Sequence, residues 1–136
     1  MVQFTSKVQV INEFKINLAK NDTWVIRGLL VIYNNQTRDE QSILANSHAN
    51  GIGFTSADAR FMTLMAQYYI KHKKFSTQQM FIVRKNMMKY ASQLVDHGLK
   101  TGKIRKEGKY YVWYINKMIY RILYIILFYI YSIMNH

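Results

Sequence analysis

The stretch GIGFTSADARFMTLMAQYYIKHKKFSTQQMFIVRKNMMKYASQL, residues 51–94, decides the fold. It reads as two amphipathic helices joined by the loop Lys71-His72-Lys73-Lys74-Phe75. Thr55 with Asp58, and Ser76 with Gln79, have capping-box spacing: a hydroxyl accepts from an orphan backbone N–H while the side chain three residues on reaches back. The first helix is expected to run to about Lys71, with Phe61, Leu64, Met65 and Tyr68 as its core stripe. The second is expected from Ser76 to about Val95, with Met80, Val83, Met87, Ala91 and Leu94 inward. Lys85 and Lys89 sit one turn apart away from that stripe, and Arg84 flanks it. Gly98 reads as a left-handed stop. A short polar connection favours an antiparallel or helix-turn-helix pair.

Towards the N-terminus, His48 to Phe54 reads as loop, and Thr37 with Glu40 as a third capping box opening a short helix towards Asn46. Trp24 to Tyr33 is apolar almost all round except Arg27, and Asn21 and Asp22 are good caps, so a buried helix is expected there. Gly28 within it marks either a close helix contact or a tolerated glycine. Met1 to Lys20 leaves strand and helix open: Val2, Phe4, Val8, Val10 and Ile11 hint at extended chain, and Phe14, Ile16 and Leu18 continue an alternation.

Towards the C-terminus, Lys103-Ile104-Arg105 and Tyr110-Tyr111-Val112-Trp113 flank a turn at Lys106-Glu107-Gly108-Lys109, which reads as a small β-hairpin. A basic hairpin after a helix pair is suggestive of a winged helix. Beyond it, Ile122 to Met134 is a near-apolar run of 13 residues preceded by Lys117 and Arg121. Ile115 to Met134 is 20 residues, barely a bilayer span. Three readings of residues 114–136 stand side by side: a membrane-associated helix with its basic flank cytoplasmic, an ordinary core helix, or an out-of-frame extension. The last follows because 18 of these 23 residues are Ile, Tyr, Leu, Phe, Asn or Lys, all encodable by A and T alone.

The expected fold is therefore mainly α: a single small helical domain, residues 1–113, with a short C-terminal β-hairpin and an appended hydrophobic tail helix, residues 114–136. Half of the 136 residues are hydrophobic, which argues against global disorder. Cysteine and proline are absent, removing disulfides and thiolate chemistry. The N-terminus lacks the long apolar run of a signal peptide, so a cytoplasmic protein is expected.

Formal charge is +12, an excess that attracts polyanions. From Lys71 to Lys109 there are eleven Lys and Arg against Asp96 and Glu107, so this stretch carries a net +9. Lys71, Lys73, Lys74, Arg84, Lys85, Lys89, Lys103, Arg105, Lys106 and Lys109 are the candidate phosphate contacts, expected to converge from loop, helix and hairpin into one positive stripe. Phe75, Tyr110, Tyr111 and Trp113 could stack on unpaired bases there, or belong to the core. No Asn or Gln pair marks a base-reading helix, so sequence specificity is not expected.

Chemistry of other kinds finds no foothold. Gly51-x-Gly53 before a helix lacks the Gly-Lys-Ser/Thr of a phosphate loop and the third glycine of a dinucleotide fingerprint. His48, His72, His97 and His136 share no ligand spacing. Ser56, Asp58 and His48 have no nucleophile elbow. No enzyme, cofactor or metal is expected.

Trp24-x-x-Arg27, Ile32-Tyr33-x-x-Gln36-Thr37-x-x-Glu40-Gln41, Asn50-Gly51-x-Gly53-Phe54 and Asp58-Ala59 form an ordered pattern. It continues with Ser76-x-x-Gln79-Met80 and Lys89-Tyr90-Ala91-x-Gln93-Leu94. Across roughly residues 21–95 this resembles a family of small proteins carried by bacteriophages and plasmids, and the later part is similar to segments appended to phage helicase-type replication proteins. The resemblance implies a mobile-element setting and DNA metabolism, with no catalytic residues to carry over. Such proteins end near the hairpin, so the tail departs from the pattern. The expected function is a non-enzymatic nucleic-acid-binding accessory protein, with DNA before RNA, in the host cytoplasm. The alternatives are an inhibitor-type module that docks on a replication or host protein, and a small tail-anchored membrane protein.

Overall fold

A computed structural model describes residues 2–36, 52–113 and 117–135. The first strand, β1 (Val2–Phe4), leads through Ser6 into α1 (Lys7–Lys20), where the Ser6 hydroxyl accepts the Gln9 N–H at 3.2 Å. Asn21 closes α1 and opens α2 (Asp22–Asn35) in one residue, its side chain accepting the Thr23 N–H at 2.9 Å. This corner turns two helices against each other with no connecting loop. The ambiguous first twenty residues are thus a three-residue strand followed by a helix, and the buried helix at Trp24–Tyr33 is present. The helix expected from Thr37 towards Asn46, with His48 and Gly51, lies outside the described residues.

α3 (Ala59–His72) and α4 (Thr77–Met87) are the two helices of the deciding stretch. Ser76 and Gln79 form the full capping box: Gln79 N–H donates to the Ser76 hydroxyl at 3.1 Å, and Ser76 N–H to the Gln79 carbonyl oxygen of the side chain at 2.8 Å. The box expected at Thr55 and Asp58 does not form, because Asp58 makes no cap bond and turns towards Tyr90 and Lys89 instead.

The core stripe of α3 is also different. Ala59, Met62, Thr63 and Ala66 are buried, while Phe61 and Leu64 are exposed and Met65 and Tyr68 half-buried. α3 packs on α2, and small residues let the two backbones approach. The Thr63 hydroxyl donates to the buried Gln36 side chain at 3.2 Å, which fixes the rotation of α3 about its axis.

α4 passes through a 3₁₀ turn, Met88–Tyr90, into α5 (Ala91–Thr101), so the single helix expected to Val95 is two segments. The expected inward stripe holds: Val83, Met87, Ala91 and Leu94 are buried, with Met80 packed beside them. Gly98 does not end the helix. It is buried in α5, where a β-carbon would stand 2.7 Å from Ile104 Cδ1, and the left-handed stop is Gly102, at φ 80°. Gly28 marks a close contact, facing Leu94 and Met87.

β2 (Ile104–Glu107) and β3 (Tyr110–Trp113) make the expected hairpin. β1 pairs with the other edge of β3, giving a three-stranded antiparallel sheet in the order β1-β3-β2 with Phe4 opposite Tyr111 and Lys106 opposite Tyr111 from the other side. Val10, Leu18, Val25, Leu29, Ile32, Met62, Val83 and Val95 are fully buried between the helices, and Ile104 joins them from the sheet. Fully burying each such side chain contributes roughly 1.5–3 kcal/mol.

Residues Lys117–Met134 form α6, an 18-residue helix. Its large apolar side chains from Ile122 to Met134 are exposed. No helix among the described residues is long and apolar enough to cross a membrane, so the reading of residues 114–136 as a membrane-crossing anchor is not supported. At 1.5 Å per residue, the 13-residue apolar run covers only about 20 Å of a hydrocarbon core about 30 Å thick.

Candidate nucleic-acid interface

The hairpin grows directly from α5, and this junction concentrates the cations. Lys100 lies in the last turn of α5, Gly102 reverses the chain, and Lys103, Arg105, Lys106 and Lys109 follow within the hairpin, all exposed. Between His97 and Trp113 only Glu107 is acidic. Arg105 Nε donates to the Gly102 carbonyl at 3.3 Å, which holds its stem against the turn. Lys106 Nζ stands 5.8 Å from the Tyr111 ring centroid, and Lys109 Nζ 5.2 Å from that of Tyr110. These are weak, water-accessible contacts that orient the ammonium groups without neutralising them.

His97 registers the field of this cluster. Burial lowers its pKa first, and the neighbouring positive charges of Lys103 and Lys100 lower it further. Lys100 is outside the set proposed from sequence; reading Gly98 as the helix end puts it in a connector, whereas the structure puts it on the last turn of α5 beside Lys103.

The other candidates stand on other elements, and two of them are paired. Arg84 is half-buried, donates from Nε to the Leu18 carbonyl at 3.0 Å and pairs with Asp22, so it ties α4 to the α1–α2 corner. Lys89 Nζ lies 2.6 Å from Asp58 Oδ2. Both cations are thus paired with carboxylates from the first half of the chain. Lys71, Lys73, Lys74 and Lys85 are exposed, with Lys73 at φ 60° closing α3. They sit on or beside α3 and α4, which pack on α2, while β2 packs on α5 and β1 on α1. The ten proposed residues thus comprise four exposed lysines on or beside α3 and α4, four exposed hairpin cations, and two cations paired with carboxylates.

Two of the four aromatics proposed for stacking are engaged elsewhere. Trp113 packs against Phe14 and Trp24, with centroids 5.3 and 5.2 Å away. Phe75 lies against Tyr69 at 5.2 Å and parallel to Tyr68. Tyr111 is packed partly on the core, which leaves Tyr110 as the aromatic best placed beside the cations.

A second constellation joins the residue 52–58 segment to the 3₁₀ turn. Tyr90 donates its hydroxyl to Asp58 Oδ2 at 2.5 Å and accepts the Thr55 N–H at 3.1 Å, and its ring meets Phe54 edge-on at 5.6 Å. Gly53, Phe54, Asp58, Lys89, Tyr90 and Gln93, all part of the ordered sequence pattern, meet here. Their geometry is that of a latch between two chain segments. Among the described residues, no group of His, Asp and Glu is placed to hold a metal ion.

No protein-family model, curated protein or solved structure matches this chain.

Proposed function

We propose that the end of α5 and the hairpin form a surface that binds the phosphate backbone of nucleic acid, in a non-enzymatic accessory protein of a phage or plasmid. The observation that carries this reading is the succession of exposed cations from the end of α5 past Gly102 to the hairpin turn at Gly108, namely Lys100, Lys103, Arg105, Lys106 and Lys109, with Glu107 the only carboxylate in that stretch of sequence. β3 is paired on both edges, so the hairpin is a rigid support for those charges. α6 is an appended segment in this reading, its apolar side chains from Ile122 to Met134 being exposed. DNA is the preferred polyanion on the mobile-element resemblance alone. A β-ribbon fits the major groove, while backbone contacts carry no sequence information.

Five cations that each neutralise one phosphate give a salt slope of about −4.5 on duplex DNA. The test is a salt-titrated binding measurement of the full chain with single- and double-stranded DNA and RNA. A flat salt dependence would end the proposal. A second reading, docking on an acidic host protein, draws on the same cations together with the exposed Phe81 of α4. Pull-down after nuclease treatment separates the two.

A further inference from the structure

Among the described residues, the apolar side of α6 is exposed. Ile122, Ile126, Ile130 and Ile133 recur at helical spacing, and each is exposed by 46 to 58%. Leu123 and Leu127 widen that stripe to one side. Tyr124, Tyr131 and Ser132, with Phe128 among them, gather on the opposite side of the same helix. A broad apolar stripe facing a Tyr-rich one is the layout of a helix that lies along an apolar–aqueous boundary. A dimeric coiled coil uses a narrower two-position seam. Tyrosine suits the same boundary, with a ring that is apolar and a hydroxyl that stays wet.

Charge indicates which boundary. The helix has two charged residues, Lys117 and Arg121, both basic and both in its first two turns. The cationic hairpin ends only four residues before α6 begins, and the whole chain carries +12. Each cation close to an anionic leaflet adds attraction that a neutral surface does not supply. A helix whose apolar and Tyr-rich sides both run along its axis suits a position in the plane of the surface.

We infer that α6 is an in-plane anchor which seats its isoleucine stripe in the surface of a membrane rich in anionic lipid, with the neighbouring basic residues on the headgroups. The test uses the full chain and co-sedimentation with two kinds of vesicle, phosphatidylcholine alone and phosphatidylcholine mixed with phosphatidylglycerol. Binding is expected on the mixed vesicles and at least about tenfold weaker on the neutral ones. The Ile126→Glu, Ile130→Glu double variant is expected to lose at least about tenfold of the binding to mixed vesicles. These side chains lie outside the core, and an unchanged near-ultraviolet signal from the Trp24–Trp113 pair checks that the body is folded.

Three results would overturn the inference. One is equal binding to both kinds of vesicle. Another is full retention by the double variant, which would leave the hairpin as the lipid contact. The third is a soluble dimer that the double variant dissociates while vesicles capture neither form; the stripe would then belong to a second copy of the chain.

Discussion

Gln93 grips Gly53 by both of its backbone groups: Oε1 accepts the Gly53 N–H at 2.9 Å and Nε2 donates to the Gly53 carbonyl at 3.0 Å. One amide side chain thereby does for this irregular segment what a neighbouring strand does in a sheet. Gln93→Leu leaves both groups unpaired in a partly buried site. It is expected to cost about 1–3 kcal/mol in chemical denaturation. Gln93→Glu, which keeps only the acceptor, should fall in between. Equal stability of the wild type and Gln93→Leu would show that the grip contributes nothing.

Tyr90 and Asp58 set opposite pH limits on the same latch. Burial, and then the hydrogen bond to Asp58, push the Tyr90 hydroxyl up to about 12 from its ordinary 10.0. Tyr90 binds its proton more tightly folded than unfolded. Its stabilising effect is therefore complete below pH 10 and is lost as pH rises from there towards 12. Burial alone would raise Asp58, but the hydrogen bonds from Lys89 and Tyr90 and the Lys89 charge outweigh it and hold the carboxyl below 3.8. That contribution is present above 3.8 and disappears as pH falls through the lowered value. Tyr90→Phe should shorten the alkaline limb of a stability–pH curve, and Asp58→Asn should flatten both limbs.

His97 offers a spectroscopic view of the hairpin. Its depressed pKa comes from burial and then from Lys103 and Lys100. Replacing Lys103 with Gln should move the imidazole titration, followed by NMR, back towards 6.5. Saturating the wild type with DNA should move it the same way, because phosphates cancel the same field. A titration indifferent to DNA would place the polyanion elsewhere.

Arg84 and the hairpin cations should separate cleanly in function. Changing Lys100, Lys103 and Lys106 together to Gln is expected to reduce the salt slope of DNA binding by about three while leaving stability nearly unchanged. Arg84→Ala should do the reverse. It removes the Asp22 pair and the Leu18 carbonyl bond, at about 1–3 kcal/mol of stability, with the slope intact.

Much of the helical body was legible in the chain, and the failures share a physical origin. Ser76 with Gln79, Asn21, and the stripe Val83–Met87–Ala91–Leu94 depend on neighbours in sequence, and they came out as expected. In α3, Phe61, Leu64, Met65 and Tyr68 have the same spacing as the stripe that is actually buried, Ala59, Met62, Thr63 and Ala66. Periodicity cannot choose between two sets with one period. Size pointed to the aromatic set, whereas close approach to α2 and the Gln36–Thr63 bond required the small one. Gly98 failed similarly, since only contact with Ile104 reveals why a glycine sits inside a helix. At the candidate site, the charge excess was visible in sequence. The pairing of Arg84 with Asp22 and Lys89 with Asp58 was not, because each pair bridges distant segments.

The placement of β1 beside β3 makes this domain late to finish. Phe4 cannot meet Tyr111 until more than a hundred intervening residues have been synthesised and brought to order. The length-dependent part of closing such a loop is about 4 kcal/mol in an unstructured chain. The helices thus have to assemble first and shorten the gap, with the N-terminal strand zipping on as a final seal. During translation, the amino end would wait outside the ribosome as an unpaired edge until the ribbon emerges to receive it.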